Sequence, residues 1–414
     1  MPAYPGSVTG LRGLAVADDE SIPAVLDDLT SALGQGRPLI SYAADAAVPR
    51  QPGIAGSDVV EGVDMSEVPE GVALVVGTSG STGPAKLAML TRDNLVSSAT
   101  ATHETLGGPG SWLLAMPAHH IAGLQVLVRS IVAGTTPAVM DLGGGFSAAG
   151  FVEAAHRHTA AVGDTRRYTA LVPTQLTRLL DDPAARDALA AYDAVLVGGA
   201  ATSATTVLAA ETAGVPIVRT YGMSETAGGC VYDGVPLSVS SVHIDNEQHV
   251  VLGGDTVALG YLGDPRLTAD AFSVDADGTR WFRTDDLGVL DEAGLLQIRG
   301  RADDLINTGG LKVAPGTVED AIVRYVPGVV DAVVVGTPHP SWGQAVSAAL
   351  TMRPGSPALT VRDLRASLRG IVPDHALPQR LLVLDAIPQR GPGKPDRRAL
   401  ALAFDETIAA VGLP

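Results

Sequence analysis

Three groups of residues have types and spacing suited to chemistry on anions. The first is the run TSGSTGPAK from Thr78 to Lys86. Glycine permits positive φ and close backbone approach, so the amides from Gly77 to Gly83 can converge on an anion, with Ser79, Ser81 and Thr82 adding hydroxyl donors. Gly80 and Gly83 belong to this run of converging amides, phosphate is its natural guest, and Lys86 adds a cation. The run is not a Walker A loop, because Ala85 precedes the lysine and Leu87 follows it. A flexible Gly/Ser/Thr connector is the plain alternative. The second group is YGMSET, where Glu225 offers the oxygen donor a hard cation prefers, although a lone glutamate is ordinarily just a solvated acid. The third is Lys394, a single cation in a loop constrained by Gly391, Pro392, Gly393 and Pro395, where most lone lysines only meet water.

The elements that must carry these residues are read from apolar periodicity. GVALVVGTSG, YDAVLVGGAA, VPIVRTYGMSE and HVVLGGDTVALG each read as a short strand ending in a glycine-rich turn. Between them, PTQLTRLLDDPAARDALAAY and TSATTVLAAETAG place apolar residues at helical spacing. Alternating strands and helices predict an α/β fold, whose ligands meet the carboxyl ends of the strands. At LLQIRGRADDLINTGGLKVAP an apolar strand gives way to charges and then to Gly309, Gly310 and Pro315. This predicts a large N-terminal domain over 1–302 and a small mobile α+β domain over 303–414. In the latter, TVEDAIVRYVPGVVDAVVVGTPHP reads as helix then strand and TVRDLRASLRGIV as an amphipathic helix. DLGGGFSAAG reads as a surface loop, and no fixed-period repeat is present.

Composition narrows the classes. A chain of 414 residues exceeds one usual core. Hydrophobic residues make up 46% and charged residues 18%, with no long uncharged apolar run, which argues against a membrane span. The formal charge of −17, with no basic run to offset it, argues against nucleic acid and anionic membrane as partners. Cys230 is the single cysteine, so no internal disulfide forms, and the N-terminus has no secretory pattern; a cytoplasmic location is expected.

TSGSTGPAK closely resembles the phosphate loop T-S-G-[ST]-T-G-x-P-K of the adenylate-forming superfamily of acyl-CoA synthetases, peptide-synthetase adenylation domains and luciferases. Its proline is Pro84 rather than residue 85. Further motifs follow in the superfamily's order. VLVGGAA places Gly198 and Gly199 where the family's backbone lies against adenine, a plain strand-to-helix turn being the alternative. YGMSET resembles Y-G-x-[ST]-E, which implies that Tyr221 packs on the purine, that Gly222 and Ser224 complete the nucleotide segment, and that Glu225 holds Mg²⁺. WFRTDDLG resembles Y-x-T-G-D, assigning the ribose hydroxyls to Asp286, with Asp285 where glycine is common; an acidic turn residue is the alternative. GRADDLINTGGLKVAP resembles the interdomain segment, with Arg301 reaching ribose or phosphate and Asp303 at the hinge, against an ordinary charged linker. PQRGPGKPDR resembles the C-terminal P-x-x-x-x-G-K element and gives Lys394 to the reacting carboxylate and α-phosphate.

The resemblance spans Thr78 to Arg397 and implies a two-step, AMP-forming reaction on ATP, Mg²⁺ and a carboxylic acid. Acyl transfer to CoA follows once the small domain turns at Asp303 and brings Gly309 and Gly310 to the thiol arm. Only 77 residues precede the phosphate loop, so the front of the large domain reads as shortened. MPAHHIAGLQVLVRSIVAG resembles P-x-F-H-[IV]-[SA]-G of the o-succinylbenzoate:CoA ligases of menaquinone biosynthesis. His119 stands where an aromatic is common and His120 at the family histidine. Arg129 falls where those ligases carry arginine, and a guanidinium suits the carboxyl group of a dicarboxylic acid that does not react. The alternatives for Arg129 are snorkelling from a helix or pairing with a structural acid. Adjacent histidines on a helix would diverge, which argues against zinc. Thr174 and Gln175 read as lining the acyl pocket, with an N-cap by Thr174 the stronger reading. PAHHIAG carries no aspartate for an amino group, which favours a non-amino acid. Another aryl- or acyl-CoA ligase, and a catalytically silent nucleotide-binding protein, are the competing readings. A homodimer is left open.

Overall fold

The computed structural model describes residues 11–16, 21–34, 36–43, 68–78, 86–389 and 395–411. The expectations placed on Ser79, Gly80, Ser81, Thr82, Gly83 and Lys394 lie outside these residues. The chain divides into two compact units. The first holds Met1–Gly199, Ala210–His243 and Val251–Arg283; the second holds Ala200–Ala209, Ile244–Val250 and Thr284–Pro414.

The first unit is organised by a seven-stranded sheet. Its order is Val235–Pro236, Gly228–Tyr232, Ile217–Met223, Ala194–Val197, Arg167–Leu171, Ser111–Leu114 and Ala138–Val139. From Ile217–Met223 to Ala138–Val139 the pairing is parallel, and Gly228–Tyr232 returns antiparallel. Alternation along each strand supplies two cores. Trp112, Leu114, Tyr168, Ala170, Ala194 and Leu196 point to one face, and Leu113, Leu171, Val195 and Val197 to the other. A sheet buried on both sides reads as continuous apolar runs, as these strands do. Helices Arg92–Thr105 and Ile121–Ala133 contribute to the first core, and Ala148–Val162, Pro173–Leu180 and Pro183–Ala190 to the second.

Local chemistry sets the helix ends. Thr91 accepts from the Asn94 amide while the Asn94 side chain accepts from the Thr91 amide, a reciprocal cap. Gly134, at φ 67°, closes Ile121–Ala133 in the left-handed conformation. The DLGGGFSAAG segment is a loop only in its first part: Ser147 caps Ala148–Val162 and commits Ala148, Ala149 and Gly150 to the helix.

A second sheet in this unit runs Arg12–Val16, Leu39–Ala43, Val72–Gly77, Leu87–Thr91. Its last two strands pair antiparallel. A third sheet has the order Ser240–Ile244, His249–Gly254, Arg280–Leu290, Phe272–Val274, with Leu296–Arg301 paired to Arg280–Leu290.

The second unit contains a sheet ordered Leu311–Val313, Ile306–Thr308, Gly343–Met352, Val329–His339, with Arg380–Leu384 parallel to Gly343–Met352. Helices Pro315–Tyr325 and Val361–Leu368 pack Val318, Ile322, Leu364 and Leu368 against Val334, Val346 and Leu350. Leu400 and Phe404 of helix Arg397–Val411 pack with Val333, Val335 and Ala349. Both helix and strand predicted from TVEDAIVRYVPGVVDAVVVGTPHP are present, as is the TVRDLRASLRGIV helix. The α/β class read from the sequence is the architecture observed. Among the described residues no helix is long and apolar enough to cross a membrane.

Candidate active site

The ends of the phosphate-loop segment belong to one hairpin. Gly77 pairs with Leu87, and the Thr78 amide donates to the Lys86 carbonyl at 2.8 Å. Thr78 and Lys86 are therefore held side by side at the mouth of strands Val72–Gly77 and Leu87–Thr91.

Beyond strand Ala194–Val197, the Gly198 amide donates to Leu171 O at 3.2 Å. A Cβ on Gly198 would sit 2.3 Å from Thr220 Oγ1, and Gly199 has φ +83°. Close approach demands glycine at the first position and backbone conformation at the second. Tyr221 and Gly222 lie on the neighbouring strand Ile217–Met223, which ends in a short 3₁₀ turn, Ser224–Thr226. A Cβ on Gly222 would fall 2.1 Å from the Gly228 carbonyl oxygen.

That turn is fixed on several sides. Thr226 Oγ1 accepts from the Met223 amide at 3.0 Å and donates to Gly228 O at 2.8 Å. Ala227 adopts φ 51°, and its carbonyl accepts from Gln125 Nε2 at 2.6 Å and from Ser98 Oγ at 3.3 Å. Glu225 is thereby buried, 6% exposed, and Tyr261 Oη donates to its Oε1 at 2.8 Å. Lys86 Nζ stands 5.4 Å from the centre of the Tyr261 ring. The structure thus brings Lys86 and Glu225 together around a tyrosine that the motifs did not single out.

His119 and His120 are not on a helix. They occupy the turn before Ile121–Ala133, where His120 is the N-cap residue in extended conformation. A Cβ on Gly123 would lie 2.4 Å from the Pro117 carbonyl, so the turn folds tightly onto the helix start. Their rings consequently pack with centres 4.1 Å apart instead of diverging. Among the described residues no group of three or more His, Cys, Asp or Glu is placed to hold a metal ion.

Arg129 neither snorkels nor, among the described residues, pairs with an acid. It is 3% exposed, lies 5.0 Å over the Trp112 ring and donates through Nη2 to Tyr232 Oη at 3.3 Å. Tyr232 Oη in turn meets Thr102 Oγ1 at 2.9 Å. Burial, only partly offset by Tyr232, holds the guanidinium below its ordinary pKa. Burial and then the Arg129 charge push His103 down to about 4. His103 is accordingly the neutral acceptor of the Trp112 indole N–H at 3.2 Å. Arg129 Nε and Gln125 Oε1 are buried without a described partner.

Thr174 is not an N-cap. Pro173 occupies the first helical position, which makes Val172 the cap residue, and Gln175 Oε1 accepts from the Val172 amide at 3.0 Å.

In the second unit, Asp285 and Asp286 lie within strand Arg280–Leu290, not in a turn. Asp286 is the register partner of Arg301. The guanidinium also meets Asp303, Nε to Oδ1 2.8 Å and Nη2 to Oδ2 3.0 Å, and Asp285 at 3.3 Å. Its Nη1 is 3.6 Å from Asp286 Oδ1. Burial lowers the arginine pKa, yet the three carboxylates outweigh it and the net direction is upward. Gly309 and Gly310 form the two-residue loop of the hairpin Ile306–Thr308/Leu311–Val313, at φ +60° and +84°. Two successive positive φ values mark the primed turn that such hairpins use, so the glycine pair has a backbone cause of its own. The Gly309 amide donates to Trp342 O at 2.9 Å. Trp342 is 44% exposed and stacks on His339 at 4.3 Å.

At the base of the Lys394 segment, Arg397 donates to Glu319 Oε1 and Oε2 at 2.6 and 3.2 Å and to Val334 O at 2.7 Å. Its Nε lies 3.2 Å from Asp304.

Nucleotide-type glycine turns at the tips of a parallel sheet, a buried acid beside a lysine-closed hairpin, and a separate small α+β unit together define an adenylate-forming enzyme. The sequence model described as AMP-binding enzyme matches residues 13–262, and that described as AMP-binding enzyme C-terminal domain matches 317–394. The chain belongs to this AMP-binding enzyme family. It is 43% identical to a protein of Mycobacterium tuberculosis named probable 2-succinylbenzoate–CoA ligase, over 95% of this chain and 98% of that one. It is 32% identical to the sulfoacetate–CoA ligase of Cupriavidus necator, over 69% of this chain and 58% of the relative. Among solved structures, it resembles the o-succinylbenzoate CoA synthetase of Bacillus subtilis in complex with its acyl-adenylate intermediate. There the TM-score is 0.67 and the identity 26%, over 80% of this chain and 69% of that one.

Proposed function

We propose that this chain is an ATP-dependent, AMP-forming acid:CoA ligase whose acid is 2-succinylbenzoate, acting in menaquinone biosynthesis. The observation that carries the reading is end-to-end likeness at 43% identity to a relative of that name. The motif order supports it. The first step turns the acid into a mixed anhydride with AMP, since a free carboxylate has no adequate leaving group. The chain's part in that step is positioning and electrostatics. Thr78, the Ser79–Gly83 amides and Lys86 hold phosphate oxygens, and Gly198, Gly199 and Tyr221 hold the base. Gly222 and Ser224 complete the nucleotide segment, Asp286 and Arg301 take the ribose side, and Lys394 stands against both reacting anions.

Mg²⁺ fits the residues present. Glu225 is a buried, oriented oxygen donor, and Mg²⁺ is ordinarily bound by one or two carboxylates, waters and substrate phosphates. Glu225 would hold it, and the ion would neutralise phosphate charge.

His120 heads the helix that also carries Arg129. We assign Arg129, His120 and Thr174 to the acid, with Arg129 taking the carboxyl group that does not react. Its buried, incompletely bonded guanidinium supports that choice. ATP and CoA are substrates, and a cytoplasmic protein, with or without a homodimer, accommodates the reading.

The test is ATP-dependent pyrophosphate release with a panel of acids, with and without CoA. 2-Succinylbenzoate should give the highest kcat/KM and a CoA thioester, and loss of that lead to sulfoacetate or a monocarboxylic aryl acid would redirect the assignment within the family. The likeness to a sulfoacetate–CoA ligase gives that second reading its substance.

Domain rotation at Asp303 is the proposed second step, separating a body over 1–302 from one over 303–414. It withdraws Lys394 and brings the Gly309–Gly310 loop to the thiol. Proline at 303 fixes φ and removes an amide. Asp303→Pro is therefore expected to retain pyrophosphate release and lose thioester formation at least about tenfold, because a conformational step gates the second half-reaction. Asp303→Ala also removes the carboxylate that holds Arg301, without restricting φ. Comparing the two variants separates loss of the ion pair from loss of rotation.

A further inference from the structure

Tyr261 lies in none of the motifs singled out above, yet its side chain stands between Lys86 at the close of the phosphate-loop hairpin and Glu225. It is 3% exposed. A phenol buried this deeply must find a hydrogen-bond partner, and the one it donates to is Glu225 Oε1 at 2.8 Å. Its ring meets Phe272 edge-on at 5.3 Å and faces the Lys86 ammonium at 5.4 Å.

The backbone around it is laced to the same two elements. The Leu259 amide donates to Met89 O at 2.9 Å, the Met89 amide to Gly260 O at 2.9 Å and the Leu262 amide to Leu87 O at 2.8 Å. The strand so bound is the one that Lys86 introduces. On the other side, the Ala258 amide donates to the Glu225 carbonyl at 2.9 Å. The Tyr261 amide is itself taken by Thr268 Oγ1 at 2.9 Å, so the segment cannot slide along its neighbours without breaking this set.

We propose that Tyr261 is a positioning residue for the ATP-bound metal: its hydroxyl fixes the rotamer of Glu225, so the carboxylate meets the ion in one orientation relative to Lys86. The proposal rests on the assignment of Glu225 as the metal-holding acid. A ligand carboxylate is usually oriented by its own hydrogen-bond donors, and removal of such a donor typically costs about 10- to 100-fold in metal affinity. A purely architectural tyrosine would affect the melting temperature and leave metal affinity alone.

The experiment uses the full chain as wild type, Tyr261→Phe and Glu225→Gln. Mn²⁺ serves as the probe, with retention by the enzyme–ATP complex read from the paramagnetic resonance of the free ion. The Mg²⁺ dependence of pyrophosphate release is measured in parallel, and circular dichroism confirms a native spectrum. Tyr261→Phe should weaken Mn²⁺ retention about tenfold or more and raise the Mg²⁺ concentration for half-maximal rate by a similar factor, with excess Mg²⁺ restoring much of the rate. Unchanged Mn²⁺ retention in Tyr261→Phe, with weakened retention in Glu225→Gln, overturns the positioning role alone. Unchanged retention in both overturns the metal assignment together with it. A rate lost in Tyr261→Phe that excess Mg²⁺ does not recover also overturns the proposal, since it marks a structural defect.

Discussion

Lys394→Ala is expected to lower acyl-adenylate formation at least about 10²- to 10³-fold while leaving the melting temperature close to that of wild type. The magnitude is that of removing one preorganised electrostatic stabiliser, about 2.7–4 kcal/mol of barrier. Two anions, a carboxylate and an α-phosphate, must approach one another before the bond forms, and a cation shared between them is worth most when both charges are close. The second half-reaction should respond differently. Given pre-formed acyl-adenylate and CoA, the variant should form thioester at near wild-type rate, because the proposed rotation takes Lys394 away in that step. Single-turnover pyrophosphate release and thioester formation from synthetic acyl-adenylate measure the two separately. Near-normal pyrophosphate release would remove Lys394 from its assigned role.

The second large effect falls on Gly222. An alanine methyl there would stand 2.1 Å from the Gly228 carbonyl oxygen, 2.8 Å from Gly229 Cα and 2.9 Å from the Cys230 nitrogen. All three neighbours are backbone, so no side chain can swing away, and the pairing of Gly222 with Gly229 must open. Forced overpacking of this kind costs about 1–3 kcal/mol, and here more, since a strand pair is broken. The same pairing carries Tyr221 on one side and the Ser224–Thr226 turn on the other. Gly222→Ala should therefore lose ATP binding, by calorimetry, as well as stability in a denaturant titration. Retained ATP affinity with only a lowered unfolding midpoint would separate the strand from the nucleotide site.

The sequence singles out candidate residues where the chemistry is local, although Ser79 to Gly83 and Lys394 lie outside the described residues. A glycine cluster between two strands, glycines at the tip of a parallel strand, and a proline- and glycine-bounded lysine each declare themselves within about ten residues. Positions defined by distant partners did not. Tyr261 meets an acid 36 residues away, and it falls just past the HVVLGGDTVALG run without a motif of its own. Arg129 finds its hydroxyl partner 103 residues along the chain, so neither snorkelling nor an acid partner described it. Local rules also competed with each other. At Thr174 the preference of hydroxyl side chains for helix caps lost to Pro173, whose fixed φ suits the first helical position and moves the cap to Val172. At Asp285 and Asp286 a turn-favouring residue type lost to cross-strand pairing with Leu296–Arg301. The glycine pair 309–310 was legible as a pair, but the hairpin that requires its backbone conformation emerges only from the pairing of Thr308 with Leu311.

Cys230 carries a consequence of its own. The chain's single thiol is 1% exposed, and burial, only partly offset by its Thr226 and backbone hydrogen bonds, pushes it up to about 12. Thiolate is the nucleophilic form, and at neutral pH it is essentially absent there. An acyl adenylate formed by this chain would therefore meet no accessible thiol of the protein itself, which leaves the anhydride to the incoming CoA rather than to self-acylation.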